Sequence, residues 1–227
     1  MKYNIILFDA DETLFDFKLS EKTALQNALT AFGVNYSESV HLTAYKKINT
    51  AIWDDLEKGL IQQADLKVER FRRYLSHMNL DISPVEMATK YEYMLGEASI
   101  LFENSYEVVE KMSQRAKLFI VTNGLTSVQT RRIGKSKISH FFEAIFISEQ
   151  IGVAKPNPDI FEKSLANYAP YDKSKILMVG DSLTSDIQGG INFGVDTCWY
   201  NPRHLQKPSH ISPTYEIHQL ETLLTLV

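Results

Sequence analysis

The sequence predicts an α/β protein: a doubly wound, Rossmann-like parallel sheet with an all-α helical bundle inserted after its first strand. Three observations carry that expectation. Short continuous apolar runs recur along the chain, helical patterns separate most of them, and a long stretch without strand character follows the first run. A run that does not alternate apolar with polar residues suits a strand buried on both faces, as a parallel sheet requires. Alternation of such runs with helices is the mark of doubly wound order.

The first strand is expected over residues 5–8, Ile-Ile-Leu-Phe, and is stopped by Asp9-Ala10-Asp11-Glu12. Runs of the same style lie at 118–121, 144–147 and 176–179, with a fifth candidate over 195–200. Helical patterns occupy 105–115, 126–133, 159–168 and 184–193. The inserted block is read differently. Ala24, Leu25, Ala28, Leu29 and Phe32 make one apolar face, with Ser20 as N-cap and Gly33 as stop. Leu66, Phe71, Leu75 and Met78 fall at helical spacing on another segment. Ser83-Pro84-Val85-Glu86 reads as a capping box with proline at the first helical position, and Gly96 as the end of that helix. Residues 37–60 are expected to form one or two more helices, with Trp53 buried. The division is therefore an α/β core over 1–15 and 97–227 and a helical bundle over 16–96, hinged near Asp16 and Gly96.

Composition narrows the class. The 227 residues are 44% hydrophobic and 23% charged with only 10 Gly and 7 Pro, the balance of a globular protein. With 24 basic against 28 acidic residues the net charge is −4, so no global field invites a nucleic acid polymer. An anionic ligand must be held by a local site. Cys198 is the single cysteine, which excludes an internal disulfide and reads as inert core. Asp9 interrupts the first apolar run before it reaches signal-peptide length, and no run approaches a membrane span. A soluble, cytoplasmic protein without a membrane partner is the expectation. The six histidines lack zinc-motif spacing. Arg70, Arg72 and Arg73, and likewise Arg131, Arg132, Lys135 and Lys137, read as solvated helix faces.

Ligands of open parallel sheets bind beyond the carboxyl ends of the strands. Asp9 and Asp11 leave the first strand, Thr122 and Asn123 the second, Lys155 follows the third after a short loop, and Asp181 leaves the fourth. Each alone is an ordinary turn or cap residue; their arrival on one edge from independent strands is not. Converging carboxylates repel and need a cation, and oxygen donors without a His or Cys cluster suit Mg²⁺. A lysine beside them serves a second anion, most simply phosphate, which backbone N–H groups at Asn123 and Gly124 could also hold. The residues thus point to Mg²⁺-assisted phosphoryl transfer.

Asp9-Ala10-Asp11-Glu12-Thr13-Leu14, Val121-Thr122-Asn123-Gly124, Lys155-Pro156-Asn157-Pro158 and Gly180-Asp181 with Asp186 resemble, in order and spacing, the motifs of the haloacid dehalogenase superfamily. The insertion resembles that family's helical cap. The resemblance implies that Asp9 attacks phosphorus, that Asp11 is the general acid and base, and that Thr122, Asn123, Gly124 and Lys155 hold the phosphate. It further implies Mg²⁺ on the carboxylates of Asp9 and Asp181 and the backbone carbonyl of Asp11, with Asp186 a direct or water-mediated ligand. An acid at position 11 favours phosphate esters over halides, because a halide leaves without a proton. The phrases Phe8 to Phe15, Thr197 to Asn201 and Pro213 to Ile217 are similar to the bacterial pyrimidine 5′-nucleotidase branch. The implied substrate is a small phosphorylated metabolite, a pyrimidine nucleoside 5′-monophosphate first. Sugar phosphates or phosphoglycolate are the alternative, and phosphomutase chemistry the remoter one. Trp53, Tyr45, Phe71, Tyr74, Tyr91 and Tyr93 are candidates to stack on a base, although most are expected to fill the bundle's own core. Phe15 is expected to touch substrate or to steer closure.

Overall fold

The computed structural model describes residues 2–57, 60–208 and 210–226. The chain divides into two compact units, Met1–Phe17 with Ser99–Val227 and Lys18–Ala98. In the first unit, strands β1 (Ile5–Phe8), β2 (Lys117–Thr122), β3 (Phe142–Ile147), β4 (Ile176–Gly180), β5 (Asp196–Tyr200) and β6 (Tyr215–Ile217) form one sheet in the order β3-β2-β1-β4-β5-β6. Every pairing is parallel. Phe8 is level with Ile120 on one side and Val179 on the other, so the ends of the three central strands stand in line.

Alternate residues of these strands feed opposite cores. Ile6, Phe8, Leu118, Ile120, Leu177, Val179 and Cys198 pack with Val108, Val109 and Met112 of the helix Ser105–Ser113. Ile5, Leu7, Phe119, Val121, Ile176 and Met178 pack on the other face with Ile160, Phe161 and Leu165. Each such side chain taken from water contributes about 1.5–3 kcal/mol, and burial on both faces is why the runs are continuously apolar. The strand Tyr215–Ile217 was not foreseen. It is a three-residue edge strand with a glutamate at its centre, and neither length nor pattern marks it. The expected helix over 184–193 is a π-helical turn, Leu183–Ile187, continued by Gln188–Phe193.

The second unit is built from the helices Phe17–Ala31 (of which Lys18 onward belongs here), Thr43–Glu57, Gln63–Met78 and Pro84–Glu97. Its core joins Ala24, Leu25, Ala28 and Leu29 to an aromatic cluster of Tyr45, Phe71, Tyr74 and Tyr91, with ring centroids 5.1–6.4 Å apart. These four candidate base-stacking rings are core residues. Tyr93 is exposed, and the side chain of Trp53 lies outside the described residues. Two expected boundaries move. Ser20 sits inside its helix and donates from Oγ to the Ala98 carbonyl at 3.0 Å rather than capping it. Gly96 is a buried helical residue, and its helix runs on to Glu97. Ser83 does cap, accepting from the Glu86 N–H at 3.4 Å. Arg70 is buried rather than solvated: it donates to Asn49 at 3.1 Å, and its guanidinium lies 5.1 Å from both the Phe71 and Tyr91 rings. No helix of the described residues is long and apolar enough to cross a membrane.

Candidate active site

The aligned strand ends deliver the chemistry. After Phe8 the Asp9 N–H donates to Val179 O at 2.8 Å, extending the ladder by one residue before the chain turns. The turn is tight: the N–H groups of Leu14 and Phe15 both donate to Ala10 O, and Glu12 takes the left-handed conformation at φ 60°. That conformation is unfavourable for a residue with a side chain and persists where surrounding bonds over-determine it. The turn holds Asp9 and Asp11 at one edge. Phe15 is fully buried in the core of this unit, so it is packed against protein rather than set out for a ligand.

Lys155 is the hub. Its ammonium is buried and reaches Asp9 Oδ1 at 2.6 Å, Asp186 Oδ1 at 2.8 Å and the Val121 carbonyl. Asp186 is fully buried, and its second oxygen accepts from the Ser182 N–H at 2.9 Å. This contact depends on Gly180, where a Cβ would stand 2.2 Å from Asp186 Oδ2. Burial first, then the Asp186 carboxylate, pushes the Asp9 carboxyl well above the ordinary carboxylate range, against the pull of Lys155. Burial alone would lower the Lys155 ammonium, but the Asp186 and Asp9 carboxylates outweigh it and hold the group above its ordinary value.

Asp9, Asp181 and Asp186 each offer an oxygen, and these atoms lie within 4.8 Å of one another. An all-carboxylate donor set of this kind fits a hard divalent cation such as Mg²⁺. Asp11 is not in this side-chain cluster, and its expected contribution was through its backbone. Asp181 is half-buried at the end of β4, with its carbonyl accepting from the Trp199 indole N–H at 2.8 Å. Asn123 and Lys155 are locked together. The Asn123 amide donates to Lys155 O and accepts from Lys155 N–H, both at 2.9 Å. The side chain of Asn123 therefore places the lysine loop. Thr122 Oγ1 is buried and accepts from the Gly124 N–H at 3.3 Å.

One group was misread from the sequence. Arg132 is fully buried and its Nη2 pairs with Asp11 Oδ1, while Arg131 beside it is exposed. Gln129, also buried, donates to Asp11 Oδ2 at 2.8 Å and to Thr122 Oγ1 at 3.0 Å. The signal available was their spacing: positions 129 and 132 share a helix face with the buried Val128 and Ile133 at its flanks.

Comparison with known proteins follows the same line. The profile of the haloacid dehalogenase-like hydrolases matches residues 6–200. The pyrimidine 5′-nucleotidase PynA of Streptococcus pneumoniae is 37% identical over 99% of this chain and 94% of its own. The pyrimidine 5′-nucleotidase YjjG of Escherichia coli is 34% identical over 99% of both. Among solved structures, the HAD-hydrolase YfnB of Bacillus subtilis, bound to magnesium, superposes with a TM-score of 0.91 at 32% identity, covering 100% of this chain and 99% of that one.

Proposed function

The chain belongs to the haloacid dehalogenase-like hydrolases, and from that premise we propose a Mg²⁺-dependent phosphomonoesterase that acts on pyrimidine nucleoside 5′-monophosphates through an aspartyl-phosphate. The observation that carries the reading is the buried Asp9–Lys155–Asp186 cluster beside Asp181, an arrangement suited to one cation and one phosphoryl group. Two pyrimidine nucleotidases similar over nearly the full chain support the substrate class.

In this reading Asp9 attacks phosphorus. A bond forms between its carboxylate oxygen and phosphorus, the ester P–O bond breaks, and Asp11 gives its proton to the departing oxygen. Water then attacks the aspartyl-phosphate, Asp11 takes a proton from it, and inorganic phosphate and free Asp9 result. Thr122, the backbone N–H groups of Asn123 and Gly124, and the Lys155 ammonium hold the phosphoryl oxygens and meet the charge that develops on them. The Asp9 and Asp181 carboxylates and the Asp11 carbonyl would hold Mg²⁺, with Asp186 binding it directly or through water. When bound, the ion supplies charge neutralisation and polarises the phosphoryl oxygens. The helical unit is the cap, with 1–15 and 97–227 as core and 16–96 as insertion. Its place between β1 and β2 supports that division. A cytoplasmic site of action belongs to the same reading, supported by a lone, buried, free Cys198.

The test is phosphate release from nucleoside monophosphates and sugar phosphates, with Mg²⁺ and with EDTA. Release that needs Mg²⁺ and favours pyrimidine nucleotides is expected. Release from sugar phosphates alone would keep the mechanism and discard the nucleotidase. Isomerised product without free phosphate would replace the hydrolase with a mutase.

A further inference from the structure

We propose that Gln129 and Arg132 are positioning residues that aim the Asp11 carboxylate and tie it to Thr122, an inference that rests on the phosphomonoesterase reading of the site. The helix Thr126–Gly134 follows β2 directly and places both side chains on one face, a turn apart. They grip both oxygens of Asp11. Gln129 Nε2 donates to Oδ2 at 2.8 Å, and Arg132 Nη2 donates to Oδ1. The two are braced against each other, with Arg132 Nη2 donating to Gln129 Oε1 at 2.7 Å. The same Gln129 Nε2 reaches Thr122 Oγ1 at 3.0 Å. One amide group therefore joins the proposed proton donor to the proposed phosphate ligand.

The surroundings keep this bridge in place. A Cβ at Gly124 would stand 2.3 Å from Gln129 Nε2, so the phosphate-binding turn must carry glycine there for Gln129 to lie across it. The Arg132 guanidinium packs over the Phe15 and Phe17 rings, 5.1 and 5.4 Å from their centroids. Among the described residues, its buried Nε and Nη1 have no hydrogen-bond partner. An arginine desolvated in this way is weak evidence for stability, because the desolvation of a buried ion pair offsets much of its attraction and an apolar pair of similar volume often replaces it without loss. Its partner Asp11, by contrast, keeps 27% of its side chain exposed. Orientation of that carboxylate accounts for the arrangement where stability does not. General acid catalysis needs the proton within hydrogen-bond reach of the leaving oxygen, and a carboxylate held at both oxygens cannot wander through its rotamers.

The experiment compares kcat/KM for a nucleoside 5′-monophosphate, whose alkoxide leaves only with a proton, and for p-nitrophenyl phosphate, whose phenolate leaves without one. Arg132→Met removes one partner of the pair and should lower the melting temperature while keeping a cooperative unfolding transition. Its kcat/KM should fall about 10²-fold on the nucleotide and less than about tenfold on the aryl ester. Gln129→Leu should show the same asymmetry, and Arg132→Lys should recover part of the nucleotide activity. Equal losses on the two esters, or no loss, in a folded variant would overturn the inference. If Arg132→Met fails to fold, Gln129→Leu gives the same reading alone. A parent protein that releases phosphate from neither ester would mark failure of the phosphomonoesterase reading itself; an active parent with symmetric losses overturns only the positioning role.

Discussion

Only hydrogen separates the backbone of Gly180 from the Asp186 carboxylate. Gly180→Ala forces that carboxylate away from Ser182 N–H and Lys155, since the new Cβ would stand 2.2 Å from Oδ2. We expect a loss of about 1–3 kcal/mol by denaturant unfolding, as for other overpacked positions, together with a higher Mg²⁺ requirement for phosphate release. Unchanged stability and metal dependence would show that Asp186 has another place to go. Asp9→Asn should abolish both turnover and the phosphoenzyme trapped by acid quench. Turnover in a folded variant would move the nucleophile elsewhere. Residues that leave a strand end were legible from sequence, because an apolar run that stops at an acid declares where the acid will stand; Asp9, Asp11 and Asp181 are of this kind, and Lys155 follows its strand one loop later. Arg132 was not. It lies in a run of basic residues, and what distinguishes it from Arg131 is a partner 121 positions away. Arg70 was missed for the same reason, since only folding places Asn49 and two aromatic rings around it.

Strands and helices were legible to the degree that they serve the core. The five runs over β1 to β5 announce themselves because both faces are covered. Strand β6, at the edge, carries Glu216 outward and has nothing periodic to show. Helix ends were legible where local chemistry sets them. Ser83 with Pro84 marks a start, because the hydroxyl and the missing proline N–H both answer a helix's unpaired donors. Ser83→Ala should lower the stability of the helical unit by about 1 kcal/mol, read as a shifted unfolding midpoint, and a shift of zero would make the 3.4 Å contact idle. Ser20 misled because serine caps helices and also donates from within them, and the acceptor here is the carbonyl of Ala98, 78 positions on. No local rule anticipates such a bond.

At the scale of the molecule, the strand order sets the site. The chain lays β2 and β3 to one side of β1 and then β4 to the other, and the strand ends at that reversal are where Asp9, Lys155, Asp181 and Asp186 meet. Alternating runs and helices predicted this arrangement, whereas the substrate cannot be read from the sheet at all. Cys198, deep in that sheet, has its thiol pushed up to about 12 by burial. We expect alkylation by iodoacetamide at pH 8 to be negligible in the folded protein and complete in urea; rapid labelling without denaturant would show that β5 opens. Lys155 has a different consequence. A cation already stands between Asp9 and Asp186, so their mutual repulsion is answered from within the chain. Chelation with EDTA should therefore end turnover while leaving the far-ultraviolet circular dichroism and cooperative unfolding intact; loss of secondary structure on chelation would contradict this. A cell short of magnesium would then hold a full stock of idle enzyme. Recovery would wait on the return of an ion, not on new synthesis.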